Sequence, residues 1–282
     1  MGYAGHPAPP DLYQTARQID RIEAVRRYAV VFCKLLRQAS FPLLMMLTAW
    51  QAPAEVIAYE GFACKPAGSS LLGSNGGRGF ATPWQAGGFN AASYGDYRVE
   101  QGSLAFGRLA TSGGSVSGEM VPSAIGGLFR RLAQPIGEDG TTVYLSFLLR
   151  PNGTLNAGHA NGYFGLCLHS TIAHDMFIGK PGNGSFDEYV LEDRGTFRQV
   201  PSAVKAAVGQ TVLLVVRADF FAGPDRFTLF VNPTPGEPEP AGAVKYDLDA
   251  GPIDGIVIYS TGAFSIDEIR LGTTFADVTP RN

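Results

Sequence analysis

From Val56 onward the chain consists of short runs in which apolar and polar residues alternate or apolar residues stand together, each run bounded by glycine, proline, asparagine or aspartate. The clearest are VIAYE (56–60), DYRVE (96–100), TVYLSFLLR (142–150), GYFGLCLHS (162–170), MFIGK (176–180), EYVLE (188–192), TVLLVVRADF (211–220) and RFTLFVN (226–232). A last group, AVKYDLD, GIVIYS and FSIDEIRLG, closes the chain. Runs of this length, rich in β-branched and aromatic residues, predict an all-β sandwich or barrel rather than alternating β and α units. In 142–150 the two alternating sets, Tyr144, Ser146, Leu148 and Leu145, Phe147, Leu149, are both largely apolar, so this strand should be covered on both faces. Helical signal is slight. A short helix is predicted near Ile125 to Ala133, ended by Pro135 and Gly137, and a turn or two within SAVKAAV (202–208). FAGPD (221–225) and NPTPGEPEPAGA (232–243) read as turns between strands of one domain, 55–282.

The first 54 residues differ. Arg26, Arg27, Lys34 and Arg37 precede the apolar run Phe41 to Trp50, and Ala52-Pro53-Ala54 then supplies an A-x-A arrangement, which predicts a signal peptide cleaved before Glu55. The apolar run is well short of the roughly 20 residues that cross a bilayer, so no permanent transmembrane anchor is expected. The polar stretch ahead of it makes the leader long. Translation starting near Val31 would leave Lys34 and Arg37 as the positive region, and residues 1–30 outside the protein; an amphipathic helix packed on the domain is the alternative. The expected location is secreted, cell-surface or periplasmic.

Composition agrees with a turn-rich sandwich: 36 glycines, 19 prolines, 18 Phe and 11 Tyr. Residues 55–282 carry 16 Lys/Arg against 22 Asp/Glu, and no basic stripe marks a nucleic-acid partner. With Cys33 in the leader, Cys64 and Cys167 remain, either as a disulfide that export would permit or as two buried free thiols.

GSNGGRGF (73–80) has the glycine content of a phosphate loop but lacks the G-x-x-x-x-G-K-[ST] order and a following helix. Gly73, Gly76, Gly77 and Gly79 instead predict tight turns where the chain crosses a sandwich edge. Arg78 is expected to tie that crossing to an acidic side chain, with Phe80 and Trp84 as apolar anchors.

Taken together, AYEGF, SSLLGSNGGRGFATPW, FIGKPG, VVRADF, GPDRFTLFVNPTPG and FSIDEIRLGTTFADVTP resemble exported concanavalin A-like, LamG-like proteins of planctomycetes and related bacteria, over most of residues 56–280. The resemblance implies a jelly-roll sandwich of two antiparallel sheets used in extracellular binding, adhesion or surface assembly. Carbohydrate is the leading ligand class it implies. A structural module that binds a surface protein is the alternative, and glycan hydrolysis a further one.

Hydrolysis needs two spaced carboxylates, yet no E-x-D-x-E strand pattern is present, and Asp187-Glu188, Glu192-Asp193 and Asp267-Glu268 are adjacent pairs whose side chains diverge in a regular strand. His169 and His174 lack a third zinc ligand, and no G-x-S-x-G elbow supports a serine nucleophile. Calcium is the candidate cofactor, with Asp247, Asp249 and Asp254 as oxygen donors; Asp187, Glu188, Glu192 and Asp193 form a second acidic cluster. Asn90, Tyr94, Asn161, Tyr163, Asn183 and Phe186 combine amides and rings near turns and are the candidate sugar contacts. Asp267, Glu268 and Arg270 are expected to be structural, the acids accepting backbone hydrogen bonds or pairing with the arginine.

Overall fold

A computed structural model describes residues 55–63, 65–87, 96–123, 127–182 and 187–282. The leader and its cleavage point, Cys33 and Cys64 lie outside them. The described residues form two antiparallel sheets. The larger runs β13 (Ala243–Leu248), β12 (Gly223–Val231), β11 (Val212–Phe221), β6 (Thr142–Pro151), β15 (Phe264–Gly272), β4 (Ser115–Gly118) and β3 (Tyr97–Glu100), with β1 (Val56–Glu60) also on β15. The smaller runs β10 (Gln199–Lys205), β9 (Glu188–Asp193), β8 (Met176–Lys180), β7 (Phe164–Ser170), β14 (Ile253–Ser260), β5 (Gly127–Ile136) and β2 (Gln85–Gly87). The predicted two-sheet antiparallel, jelly-roll-like sandwich is what forms.

Alternation decides what lies between the sheets. Leu145, Phe147 and Leu149 of β6 and Leu214 and Val216 of β11 meet Leu166, Ile178, Leu191, Ile256 and Ile258 of the smaller sheet in one buried cluster. The other face of β6 is covered too, as its sequence predicts. Tyr144 and Leu148 pack there with Leu104, Leu109, Phe275 and Val278, and Ser146 donates to the Val278 carbonyl at 2.6 Å. That cover comes from the segment after β3 and from the one-turn helix α1 (Phe275–Val278), which Thr274 and Asp277 start with a capping box.

β15 holds the architecture together, because a bulge changes its alternation. Asp267 pairs with Leu148 and Arg270 with Ser146, so three steps on β15 match two on β6. Phe264 and Ile266 face the core before the bulge, Ile269 and Leu271 after it. The outer neighbour changes at the same point, from β4 to β1. Glu268 adopts φ 53°, a left-handed conformation uncommon for a residue with a Cβ.

Two expected helices are strands. Gly127–Ile136 is β5, with Leu128, Arg130 and Leu132 buried and Arg131 exposed between them; pairing with β14 imposes period two, and Pro135 lies beyond the reach of the three-residue β2. Residues 202–205 continue edge strand β10, antiparallel to β9.

GSNGGRGF is a connection laid against β1. Arg78 and Tyr59 exchange backbone hydrogen bonds at 2.9 and 3.0 Å. Gly77 (φ 68°) and Gly79 (φ 80°) are required there, since a Cβ on either would stand 2.3 Å from the Tyr59 carbonyl oxygen or 2.1 Å from that of Ile57. Arg78, expected to bind an acid, makes no ion pair among the described residues; Arg130 does. Its guanidinium pairs with Glu60, both side chains 1% exposed, donates to the carbonyls of Thr82 (3.0 Å) and Gly76 (2.5 Å), and lies over Phe80 and Trp84. Glu60 also accepts Phe62 N–H (2.9 Å) and Trp84 Nε1–H (3.3 Å). Glu60 belongs to the larger sheet and Arg130 to the smaller, so this pair joins the two layers and the glycine loop.

Candidate binding sites

Two clefts among the described residues bear on function. The first lies where the β5–β6, β7–β8, β11–β12 and β13–β14 connections meet at one end of the sandwich. It is a cleft of about 420 Å³ lined by Glu138, Asp139, Ile172, Phe221, Asp225 and Asp249, with Pro135 and Pro252 among its walls. Phe221 is 46% exposed. Asp225 is buried, and its carboxylate accepts the N–H of Phe221 (3.0 Å) and of Ala250 (2.8 Å), so one side chain fixes two of the loops. Burial, with Asp249 nearby, raises its pKa above the ordinary carboxylate value against those hydrogen bonds.

The second cleft, of about 300 Å³, lies on the outer side of the larger sheet between β1, the 110–112 segment and β15, and includes Tyr59, Arg78, Ser112, Arg270 and Asp277. Tyr59 O–H donates to Glu268 Oε1 (3.0 Å), which leaves its oxygen to accept from Ser112 Oγ (2.8 Å). Ser112 N–H donates to the same carboxylate at 2.6 Å. Glu268 also pairs with Arg270, whose Nη2 donates to the Ala110 carbonyl at 2.7 Å. The guanidinium carbons of Arg270 and Arg78 stand 5.0 and 5.9 Å from the Tyr59 ring centroid.

Beneath it, Asp267 accepts Leu104 N–H (2.8 Å) and Glu268 N–H (2.7 Å). Burial, reinforced by the adjacent Glu268, pushes the Asp267 carboxyl up to about 8. Burial likewise raises Glu268, countered by its donors and Arg270.

The predicted sugar contacts are not brought together among the described residues. Asn90, Tyr94, Asn183 and Phe186 lie outside them. Asn161 ends a single 3-10 turn (His159–Asn161) with φ 60°, and its carbonyl accepts Lys180 Nζ at 2.6 Å. Tyr163 is buried, stacked on Tyr259 at 4.7 Å between centroids, with the Arg194 guanidinium over both rings. Asp247, Asp249 and Asp254 also part company: Asp247 accepts Lys245 Nζ (2.5 Å), Asp254 pairs with Arg131 (3.3 Å), and Asp249 lines the loop-end cleft. In the second acidic cluster, Glu192 pairs with Arg194, and Asp193 accepts the N–H of Gly195 at 2.8 Å. His169 contacts Asp175 and His174 contacts Asp193, each at 2.9 Å. Among the described residues no group of three or more His, Cys, Asp or Glu is arranged to hold a metal ion. Cys167 is a buried free thiol, and burial raises its pKa. No helix among the described residues is long and apolar enough to cross a membrane.

Tyr59, Ser112 and Phe221 had no sequence signal beyond alternation or a neighbouring turn, because their surroundings come from strands far apart in the chain.

No family model and no curated protein matches the chain. Solved structures do. It is similar to domain 4 of AbnA, a GH43 extracellular arabinanase from Geobacillus stearothermophilus in complex with arabinotriose, at 13% identity and TM-score 0.40, covering 80% of this chain and 97% of that one. An endo-1,3-β-glucanase from Streptomyces sioyaensis gives 10% identity and TM-score 0.42 over 79% and 99%. The botulinum neurotoxin serotype D binding domain gives 12% and 0.39, over 67% of this chain and 46% of that chain, so this chain spans less than half of that domain.

Proposed function

We propose that the sandwich is a non-catalytic extracellular recognition module whose ligand is a carbohydrate held at the loop-end cleft. The observation that supports it is the half-exposed Phe221 ring set beside Glu138, Asp139 and Asp249 in one concavity. A ring covers the C–H face of a sugar while carboxylates accept its hydroxyls. Asp225 fixes the Phe221 and Ala250 backbones, so the site is formed before the ligand arrives and little ordering is left for binding. Both Asp225 oxygens accept backbone N–H groups, which suits a positioning role better than proton transfer. The test is a broad glycan array on the purified protein, with and without calcium, followed by titration of each hit against Phe221→Ala. A reproducible hit that this variant weakens about tenfold or more supports the reading. Silence in both conditions overturns it, and release of reducing ends from a hit would make the protein a hydrolase.

Docking of a surface protein is the second reading, and edge strand β13 favours it. Val244 and Tyr246 are exposed there, Tyr246 by 73%, and an edge strand offers backbone groups to an added strand.

A further inference from the structure

We propose that the cleft of Tyr59, Arg78 and Arg270 is an anion site that takes a carboxylate. Two guanidinium groups converge on one ring there, 5.0 and 5.9 Å from its centroid, and like charges gathered this closely call for counter-charge. The protein supplies only part of it. Glu268 is ion-paired with Arg270, and its Oε1 accepts from Tyr59 O–H and Ser112 N–H, while its Oε2 makes no hydrogen bond. Asp277 is turned onto its own capping box, its Oδ2 accepting Thr274 N–H (2.8 Å), Glu55 N–H (3.2 Å) and Thr273 Oγ–H (3.3 Å). Asp267 lies below, on the N–H groups of Leu104 and Glu268.

Arg78 is exposed and makes no ion pair among the described residues. The second observation concerns Arg270, whose side chain is 8% exposed and whose Nη1 has no hydrogen-bond partner. A buried guanidinium N–H without an acceptor is costly. A carboxylate seated between the two arginines would supply acceptors to both. Planar oxyanions suit the guanidinium fork, and the backbone pairing of Arg78 with Tyr59 holds its Cα in place beforehand. The glycines of GSNGGRGF acquire a second consequence, because without Gly77 and Gly79 the chain could not approach β1 closely enough to place Arg78 over Tyr59.

The same chemistry belongs to a uronic acid within a polysaccharide and to a free organic acid, and the experiment separates them. Methyl glucuronoside, methyl glucoside, acetate and succinate are titrated into the purified full-length protein by calorimetry at low salt. The glucuronoside should bind at least about tenfold more tightly than the glucoside, which differs by the carboxylate. If the simple acids match it, the site serves free organic acids; if they do not, it serves a sugar acid.

Arg78→Gln, an exposed substitution, should weaken the glucuronoside about tenfold with an unchanged melting temperature. Arg131→Gln, which removes the same charge elsewhere, should leave binding intact. Arg270→Lys keeps the charge and loses the fork, and should weaken binding in protein shown by circular dichroism to be folded. Phe221→Ala should have no effect, which keeps this site distinguishable from the loop-end cleft. Equal affinity for glucoside and glucuronoside, or full binding by Arg78→Gln, overturns the assignment.

Discussion

Replacing Arg130 by methionine should destabilise the domain more than any single change at an exposed charge. The side chain is 1% exposed, and its pair with Glu60 is closed from solvent. Methionine fills similar volume, so the loss is chiefly electrostatic: a buried carboxylate keeps Phe62 N–H and Trp84 Nε1–H but loses its cation. Removing one member of a buried pair costs about 3–5 kcal/mol, and the carbonyls of Gly76 and Thr82 lose a donor as well. Typical domains have only about 5–15 kcal/mol in total, so about a fifth or more of the stability is at stake. For a domain of this size the melting temperature should fall by roughly 6–20 °C. Urea unfolding followed by Trp84 fluorescence measures it directly, since the indole lies beside the pair. The double variant Glu60→Leu with Arg130→Met removes both charges and should be more stable than Arg130→Met alone. A single-variant cost below about 1 kcal/mol, or a double variant whose cost equals the sum of the singles, would refute the coupling of the two layers through this pair.

Other outcomes are equally specific. Asp267 titrates near 8 in the folded protein against about 3.9 unfolded, so the folded state binds the extra proton; its contribution is complete below about pH 4 and is lost as pH rises to about 8. Asp267→Asn should flatten that part of a stability-against-pH curve, and a slope unchanged in the variant would contradict it. Gly79→Ala places a methyl group 2.1 Å from the Ile57 carbonyl oxygen at φ 80° and should cost roughly 2–4 kcal/mol in chemical denaturation, more than a change compatible with the backbone. In a Cys33→Ser, Cys64→Ser variant, the remaining Cys167 thiol should react with a disulfide reagent only at the rate of unfolding, because it is buried and its pKa is raised; rapid reaction in native buffer would argue otherwise.

The sandwich was legible because alternation is a local signal. Tyr144 and Leu148 announced their second apolar cover, and the run 211–220 announced a strand. β5 was misread because Pro135 and Gly137 resemble a helix stop, whereas pairing with β14, more than a hundred residues later, sets its form. The bulge at Asp267 and Glu268 was invisible for a related reason: its geometry is fixed by Leu104, Ser112 and Tyr59. Both clefts are assembled from segments far apart in the chain, so the sequence offered their residues without their company. The amides and rings it did favour near turns include Tyr163, whose neighbours Tyr259 and Arg194 use its ring for packing.

The placement of β15 has a kinetic meaning. Among the described strands the last, β15, lies between β6 on one edge and β4 and β1 on the other, and the first, β1, pairs with it. The larger sheet therefore cannot become continuous until β15 is synthesised, and the chain must close a loop of some two hundred residues before the β1–β15 contacts form. Folding dominated by such distant pairings is slow, and a chain cut before Phe264 would leave β6, β4 and β1 with facing edges and nothing between them.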